Sequence, residues 1–325
     1  MRKYFTLNLS ARTLLRPVAA ILLATVLFCQ GMLAAANIIA TDSAMTVVDG
    51  HLALYLLVCG ALCFAYGFVV LWAMLPIMEQ TIRALSYDDA PFEVEYNRGE
   101  YLRKVAGGVA LSVVTFGIYS PWLLAKVMRY FAEGVSHKFY LLSFRGKGMR
   151  LLAIVVLASV VPSLVIGLVA GVIAGSMPQQ VDMMSFAPLV GLLSLLCGLF
   201  FAAMYLGLMY QWYINLTYGD KVVVCRQPLW GSSLYIMGQL LLTVLTVGLY
   251  GPMAVLRIMR YIAEHTTIEA EGQKPLTMGL RLRPWSDWGY LWLQTLLLIV
   301  TFGLYLPWYY AKVMNRFTSR LYVGQ

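Results

Sequence analysis

The chain has 325 residues, of which 61% are hydrophobic and 12% charged, roughly half the ~25% charged share of ordinary soluble domains. A soluble core of this size cannot absorb so much apolar side chain, so composition excludes a soluble globular class and leaves an integral membrane protein with several spans. The net charge of +9 would suggest nucleic acid in a soluble chain; in a membrane chain it is read against topology, and no nucleic-acid partner is expected.

Residues 1–16 carry Arg2, Lys3, Arg12 and Arg16 and no acid, and an apolar run over 17–40 follows. The basic start and Ala34 to Ala36 also fit a signal peptide, but the run exceeds an ordinary h-region, so a retained span is expected. A loop with Asp42 and Asp49 leads to a second span at 52–75, and polar residues 76–104 lead to the segment Val113–Tyr130, VVTFGIYSPWLLAKVMRY. A basic stretch from Lys126 to Arg150 contains FRGKG at Phe144–Gly148, which lacks Walker spacing and reads as a solvated turn. Spans at 151–175 and 187–209 follow, joined by a loop with Asp182. The Val113 segment recurs as Val244–Tyr261, VLTVGLYGPMAVLRIMRY, and as Ile299–Arg316, IVTFGLYLPWYYAKVMNR.

The repeat is larger than this motif. A gapless shift of 131 residues aligns Met78, Gln80, Tyr87 and Asp89 with Met209, Gln211, Tyr218 and Asp220, and then the motif residues. A shift of 55 relates the second copy to the third through Trp230 with Trp285, Tyr235 with Tyr290 and Gln239 with Gln294. The expected fold is therefore an all-α polytopic membrane protein built on an internal repeat of two spans plus one Gly/Pro-broken segment. One unit covers 1–138 (motif segment 105–131), a second 139–270 (motif segment 234–262), and an extra half-repeat 271–325 (motif segment 290–317).

Charge places the motif segments. If all seven apolar segments cross, Lys and Arg divide 13 to 11 between the two sides, against the positive-inside rule. If the motif segments dip in and return, all 24 fall on one side and the two remaining loops carry only acids. Four spans and three re-entrant helices are therefore expected, with both termini cytoplasmic. Gly117 relaxes the backbone and Pro121 lacks an N–H, so the helix is expected to break there. Residues 105–116 reach about 18 Å as helix, little more than half of a ~30 Å hydrocarbon core.

Each copy sets a Thr, Gly, Tyr and Pro at fixed spacing: Thr115, Gly117, Tyr119 and Pro121; Thr246, Gly248, Tyr250 and Pro252; Thr301, Gly303, Tyr305 and Pro307. The Thr and Tyr hydroxyls are expected to satisfy carbonyls freed at the break, with ligand binding as the alternative. Lys126 and Arg129, Arg257 and Arg260, and Lys312 follow the prolines on one helical face, with Arg129–Glu133 and Arg260–Glu264 as i,i+4 pairs. They read as a positive-inside belt with Trp122 and Trp308 as interfacial anchors, or as contacts for anionic lipid headgroups or an anionic substrate.

Five cysteines, Cys225 among them in a loop, give neither a disulfide framework nor a zinc pattern. His51, His137 and His265 are expected as solvated loop residues. No cofactor motif, metal site or catalytic constellation is expected, so the chain is not expected to be an enzyme.

TFGIYSPW followed by KVMRY, preceded by Phe92, Gly99 and Tyr101 and followed by FRGKG, resembles the YjgN family of bacterial inner-membrane proteins of unknown function. The second copy departs from that pattern at Met253 and at Trp230, where the lead-in Gly is absent. The resemblance implies a bacterial inner-membrane protein and lends no activity. The functional expectation is transport or translocation of a small solute or lipid; the alternative is a scaffold whose basic cytoplasmic face binds a partner or anionic lipid.

Overall fold

A computed structural model of the chain describes residues 3–41, 48–176, 183–272 and 274–324. The acidic loops expected on the outer side fall largely at 42–47 and 177–182, outside the described residues. The rest forms two compact units, one of residues 3–144 with 291–320, the other of 145–290 with 321–324.

In the first unit, β1 (Lys3–Leu7) leads into α1 (Ala11–Thr41) and α2 (Val48–Arg83). These helices pack on each other through small and aromatic residues: Leu62 seats against Gly31, and Phe28 stacks on Tyr66 at 4.7 Å. Their outer faces stay apolar and open, with Leu33 65% and Leu57 68% exposed. Four helical stretches are long and apolar enough to cross a membrane: Ala11–Asn37, Leu54–Arg83, Gly148–Leu168 and Gly191–Tyr213. An open leucine face costs free energy in water and none in hydrocarbon, so these surfaces suit a bilayer.

Short strands follow: β2 (Leu85–Tyr87), β3 (Ala90–Pro91) and β4 (Glu93–Val94). Helices α3 (Arg98–Val114) and α4 (Ser120–Glu133) come next, then β5 (Val135–His137) and β6 (Tyr140–Phe144). Tyr101, Val105 and Val109 of α3 and Leu123, Val127 and Phe131 of α4 form one buried cluster with Leu75. Tyr101 donates to the Leu71 carbonyl at 2.6 Å, tying α3 to α2. From the same unit, α11 (Leu306–Thr318) packs Ala311 against Leu14 and Val18 of α1.

The second unit holds α5 (Gly148–Val155), a π-helical turn at Val156–Val160, α6 (Val161–Ser176) and α7 (Met183–Tyr213). Strands β7 (Leu216–Tyr218) and β8 (Lys221–Cys225) lead to α8 (Leu229–Leu245) and α9 (Gly251–Glu264). Then come β9 (Thr266–Glu269), β10 (Leu276–Leu280), the opening of α10 (Pro284–Val300), and finally β11 (Leu321–Gly324). At the FRGKG turn Arg145, Lys147 and Arg150 are exposed, while the Lys147 carbonyl accepts from the buried Trp212 Nε1 at 3.0 Å. The basic side chains thus face out of a turn whose backbone is anchored.

The strands correct the all-α expectation. In the first unit β1–β2–β3 and β4–β5–β6 pair antiparallel, and in the second β7 to β11 pair in sequence order. Each is only two to five residues long, too short for a periodicity signal beside long apolar runs. The turn chemistry was present: Gly219 at φ +58° opens the β7–β8 turn, and Asp88 and Asp89 sit at +54° and +59° between β2 and β3. Three further expectations change, the first being that His51 lies within helix α2 and not in a loop. His137 is 2% exposed, within reach of the Tyr87 carbonyl at 3.0 Å and stacked on Phe92, and Cys225 is a buried strand residue.

The ladders clasp helix pairs at their feet. Strand β1 before α1 pairs with β2 after α2, Phe5 opposite Tyr87. Strand β4 before α3 pairs with β5 after α4, Glu93 opposite Ser136. Strand β8 before α8 pairs with β9 after α9, Cys225 opposite Thr266, and β10 before α10 pairs with β11 after α11, Leu280 opposite Leu321.

Asp88 adds an ionic tie at the first clasp, to Lys138 at 2.6 Å and Lys3 at 2.8 Å. Hydrogen bonds from Lys138 and then Lys3 hold its carboxyl at about 2, below the usual carboxylate range. A depressed folded value means that the tie contributes in full above the unfolded pKa, near 4, and is lost as pH falls through about 2. Asp88→Asn, which tolerates this left-handed backbone, should therefore flatten the acid limb of a thermal-melting profile over that window. An acid limb identical to that of the native chain would mean that the tie carries no stability.

Candidate functional site

Each motif is a helix end, a five-residue turn and a helix start. In the first copy Gly117 N–H reaches Ser112 O at 2.7 Å and Phe116 N–H reaches Val113 O at 3.1 Å, the paired bonds of a Schellman closure. The turn needs left-handed backbone. Phe116, Val247 and Phe302 take φ of +49°, +50° and +50°, and Gly117, Gly248 and Gly303 all take +87°. Glycine accommodates its position; the residue before it carries strain of about 1–2 kcal/mol, most awkwardly at the β-branched Val247.

The prolines have a different part from the expected one. Pro121, Pro252 and Pro307 stand in the first turn of α4, α9 and α11, where a missing N–H costs nothing and a fixed φ helps. The helix is broken by the left-handed pair, and proline starts the next one.

Threonine closes the break from both sides. Thr115 Oγ1 donates to Leu111 O at 2.7 Å and accepts from Tyr119 N–H at 3.1 Å. Thr246 does the same to Leu242 and Tyr250 at 2.8 and 3.0 Å, and Thr301 to Leu297 and Tyr305 at 2.7 and 3.1 Å. One hydroxyl thus adds a second bond to a carbonyl that the threonine's own N–H already reaches, and satisfies an amide of the starting helix.

The tyrosine hydroxyls do not meet freed carbonyls. Tyr119 accepts from Lys126 Nζ at 2.7 Å, and Tyr305 accepts from Lys312 Nζ at 2.8 Å while donating to Gln294 Oε1 at 2.8 Å. Tyr250 donates to Gln239 Oε1 at 2.7 Å, and the Arg257 guanidinium lies 5.6 Å from its ring centroid. Each motif tyrosine therefore holds the cation seven residues on. Of the two i,i+4 pairs, Arg260–Glu264 forms at 2.7 Å; no ion pair joins Arg129 to Glu133 among the described residues.

The three exits differ in what lies beside the cation. In the first copy the place of Gln239 is taken by Gly108, where a Cβ would collide with Leu123, and Trp122 stacks on Tyr119. In the third, Trp308 stacks on Tyr305 at 6.1 Å, and Asn315 stands where the second copy has Arg260. Asn315 binds the backbone of Leu9 through both ends of its amide, at 2.9 and 3.0 Å. The second copy has Met253 in place of tryptophan and opens a cavity of about 400 Å³, lined by Tyr235, Gln239, Met253, Arg257, Arg260, Tyr261, Glu264, Leu282 and Pro284. Of the expected contacts, the cavity gathers Arg257 and Arg260. Gln239 and Tyr235, which the shift of 55 aligns with Gln294 and Tyr290, are the site residues that a motif-centred reading passes over. A glutamine kept at one position of two apolar helices was the available signal.

With the geometry in place, sequence comparison adds a family. The family described as "Bacterial protein of unknown function (DUF898)" matches residues 2–140 and again 135–278. The chain belongs to this family. Both DUF898 matches run from the start of a long apolar pair through a motif segment, the first ending within β5–β6 and the second within β9–β10. The match bears out the resemblance carried by TFGIYSPW and KVMRY. No curated protein and no solved structure matches this DUF898 chain.

Proposed function

We propose that the chain is a lipid-handling protein of the bacterial inner membrane, built on an internal repeat. Four helices cross, three broken hairpins (α3–α4, α8–α9 and α10–α11) enter from the cytoplasmic side and return, and both termini are cytoplasmic. The cationic exits hold anionic headgroups of the inner leaflet, and the hairpins provide a path along which lipid or a small solute crosses. No catalytic group is assigned.

The observation that carries this reading is the clasp at each hairpin. Strands on either side of a motif segment pair with each other, Glu93 opposite Ser136, Cys225 opposite Thr266 and Leu280 opposite Leu321. Partners in one ladder lie about 5 Å apart, so they cannot stand on opposite faces of a ~30 Å core. Reach agrees: α3 carries charges through Lys104 and is apolar from Val105 to Val114, about 15 Å. The tips suit lipid, with Phe116 88%, Val247 92% and Phe302 95% exposed. Their backbone is satisfied internally by the threonine and Schellman bonds, as hydrocarbon requires.

Reconstituted vesicles test both parts, using the chain with its native cysteines replaced and Glu93→Cys or Ser136→Cys added singly. Both thiols should react with a membrane-impermeant reagent from the same side, and headgroup-labelled phosphatidylglycerol should exchange leaflets faster than in empty vesicles. Labelling from opposite sides would sink the hairpins. Exchange no faster than in empty vesicles would remove translocation in favour of a scaffold whose basic face binds a partner or anionic lipid.

A further inference from the structure

The α8–α9 cavity differs from its two counterparts in ways that point to a ligand. In the first and third copies a tryptophan stacks on the motif tyrosine; at that position the second copy has Met253, which lines the cavity. Gln239 is 7% exposed and spends its Oε1 on Tyr250, while its amide nitrogen has no protein acceptor among the described residues. It lines the cavity, as does Arg257, whose cation rests on the Tyr250 ring with no carboxylate partner among the described residues. Arg260 is neutralised by Glu264 at 2.7 Å. The cavity therefore offers one uncompensated guanidinium, one buried amide donor, and Glu264 and Tyr261 as acceptors near the foot of the hairpin.

That inventory defines the occupant. One net positive charge with a fork of N–H donors matches a singly charged phosphodiester oxygen pair. A carboxylate and a phenol beside it accept from hydroxyls. Tyr235, stacked on Tyr261 at 4.5 Å, and Met253, nearer the tip, give the cavity apolar walls. Resting on the membrane reading above, we infer that this cavity is a specific site for a phosphodiester lipid headgroup bearing hydroxyls, and that the other two hairpins lack it. The first has neither the glutamine nor the space, and the third has committed Asn315 to Leu9.

The full-length protein in nanodiscs would be titrated with fluorescent phosphatidylglycerol and, separately, with fluorescent phosphatidylcholine. Phosphatidylglycerol should bind at least about tenfold more tightly, and Arg257→Gln should remove about that factor, the worth of one charged hydrogen-bonded contact. Met253→Trp should abolish the selectivity while leaving thermal stability intact, because two sister hairpins carry tryptophan there. Equal affinity for the two lipids, or selectivity that survives in a stable Met253→Trp protein, would overturn the site. Displacement of the lipid by equimolar glycerol 3-phosphate would assign the cavity to a soluble phosphoester and overturn the lipid assignment. Loss of this selectivity with same-side labelling preserved would reject the headgroup site and leave the hairpin reading standing.

Discussion

Thr246→Val is expected to destabilise the protein by roughly 2–3 kcal/mol, while Thr246→Ser stays within about 1 kcal/mol of the native chain. Valine keeps the shape and removes one hydroxyl that donates to Leu242 O at 2.8 Å and accepts from Tyr250 N–H at 3.0 Å. In water the exposed amide would find a new partner; in hydrocarbon it has none, and an unsatisfied amide there costs more than in a soluble protein. The loss should therefore be larger for the lipid-embedded protein than for a detergent-solubilised form whose tips are wet. Denaturant titration in bilayer discs and in detergent gives both values. A valine variant as stable as the serine variant in lipid would mean that the tip does not lie in hydrocarbon. Thr115 and Thr301 make the same pair of bonds, so the corresponding variants should behave alike.

Trp212→Ala is expected to cost about 3–5 kcal/mol, the range for deleting a large buried aromatic. The side chain is fully buried at the end of α7 and donates to the Lys147 carbonyl at 3.0 Å, fixing the turn between β6 and α5. Trp212→Phe keeps most of the volume and should lose about 1 kcal/mol with the hydrogen bond. Thermal unfolding of both variants separates packing from bonding. An alanine variant that melts with the native chain would show that the FRGKG turn is held by something else. Because Arg145, Lys147 and Arg150 project outward from that turn, losing the anchor should also increase protease cleavage there.

Much of the motif could be read in one dimension because its parts are local. A threonine four residues before a tyrosine, a glycine between them and a proline two residues later are fixed by hydrogen bonds and backbone angles within a single turn. The reading erred where one residue has two uses. Proline breaks a helix in its interior and starts one at its first turn, and spacing alone did not say which. Spacing points the tyrosine hydroxyls to freed carbonyls, because the cation seven residues on is a partner only once the second helix has formed.

The cavity lay further out of reach. Met253 looks like ordinary variation in an apolar repeat, and Gln239 like one polar residue shared with the third copy. They become a site only when α8 and α9 face each other and both line the cavity between them. His137 and Cys225 were misplaced for a related reason: strands of three and five residues bury side chains through partners forty or more positions away.

Residues alone therefore determined what depends on composition and short range: the four helices long and apolar enough to cross a membrane, and where the three motif segments break. Tertiary structure decided which ends of the chain meet. Hydrogen bonding between β4 and β5, β8 and β9, and β10 and β11 joins residues separated by an entire helical hairpin. Short strands carry too little pattern of their own to announce their partners, and only the folded chain, by pairing their backbone groups, selects the register.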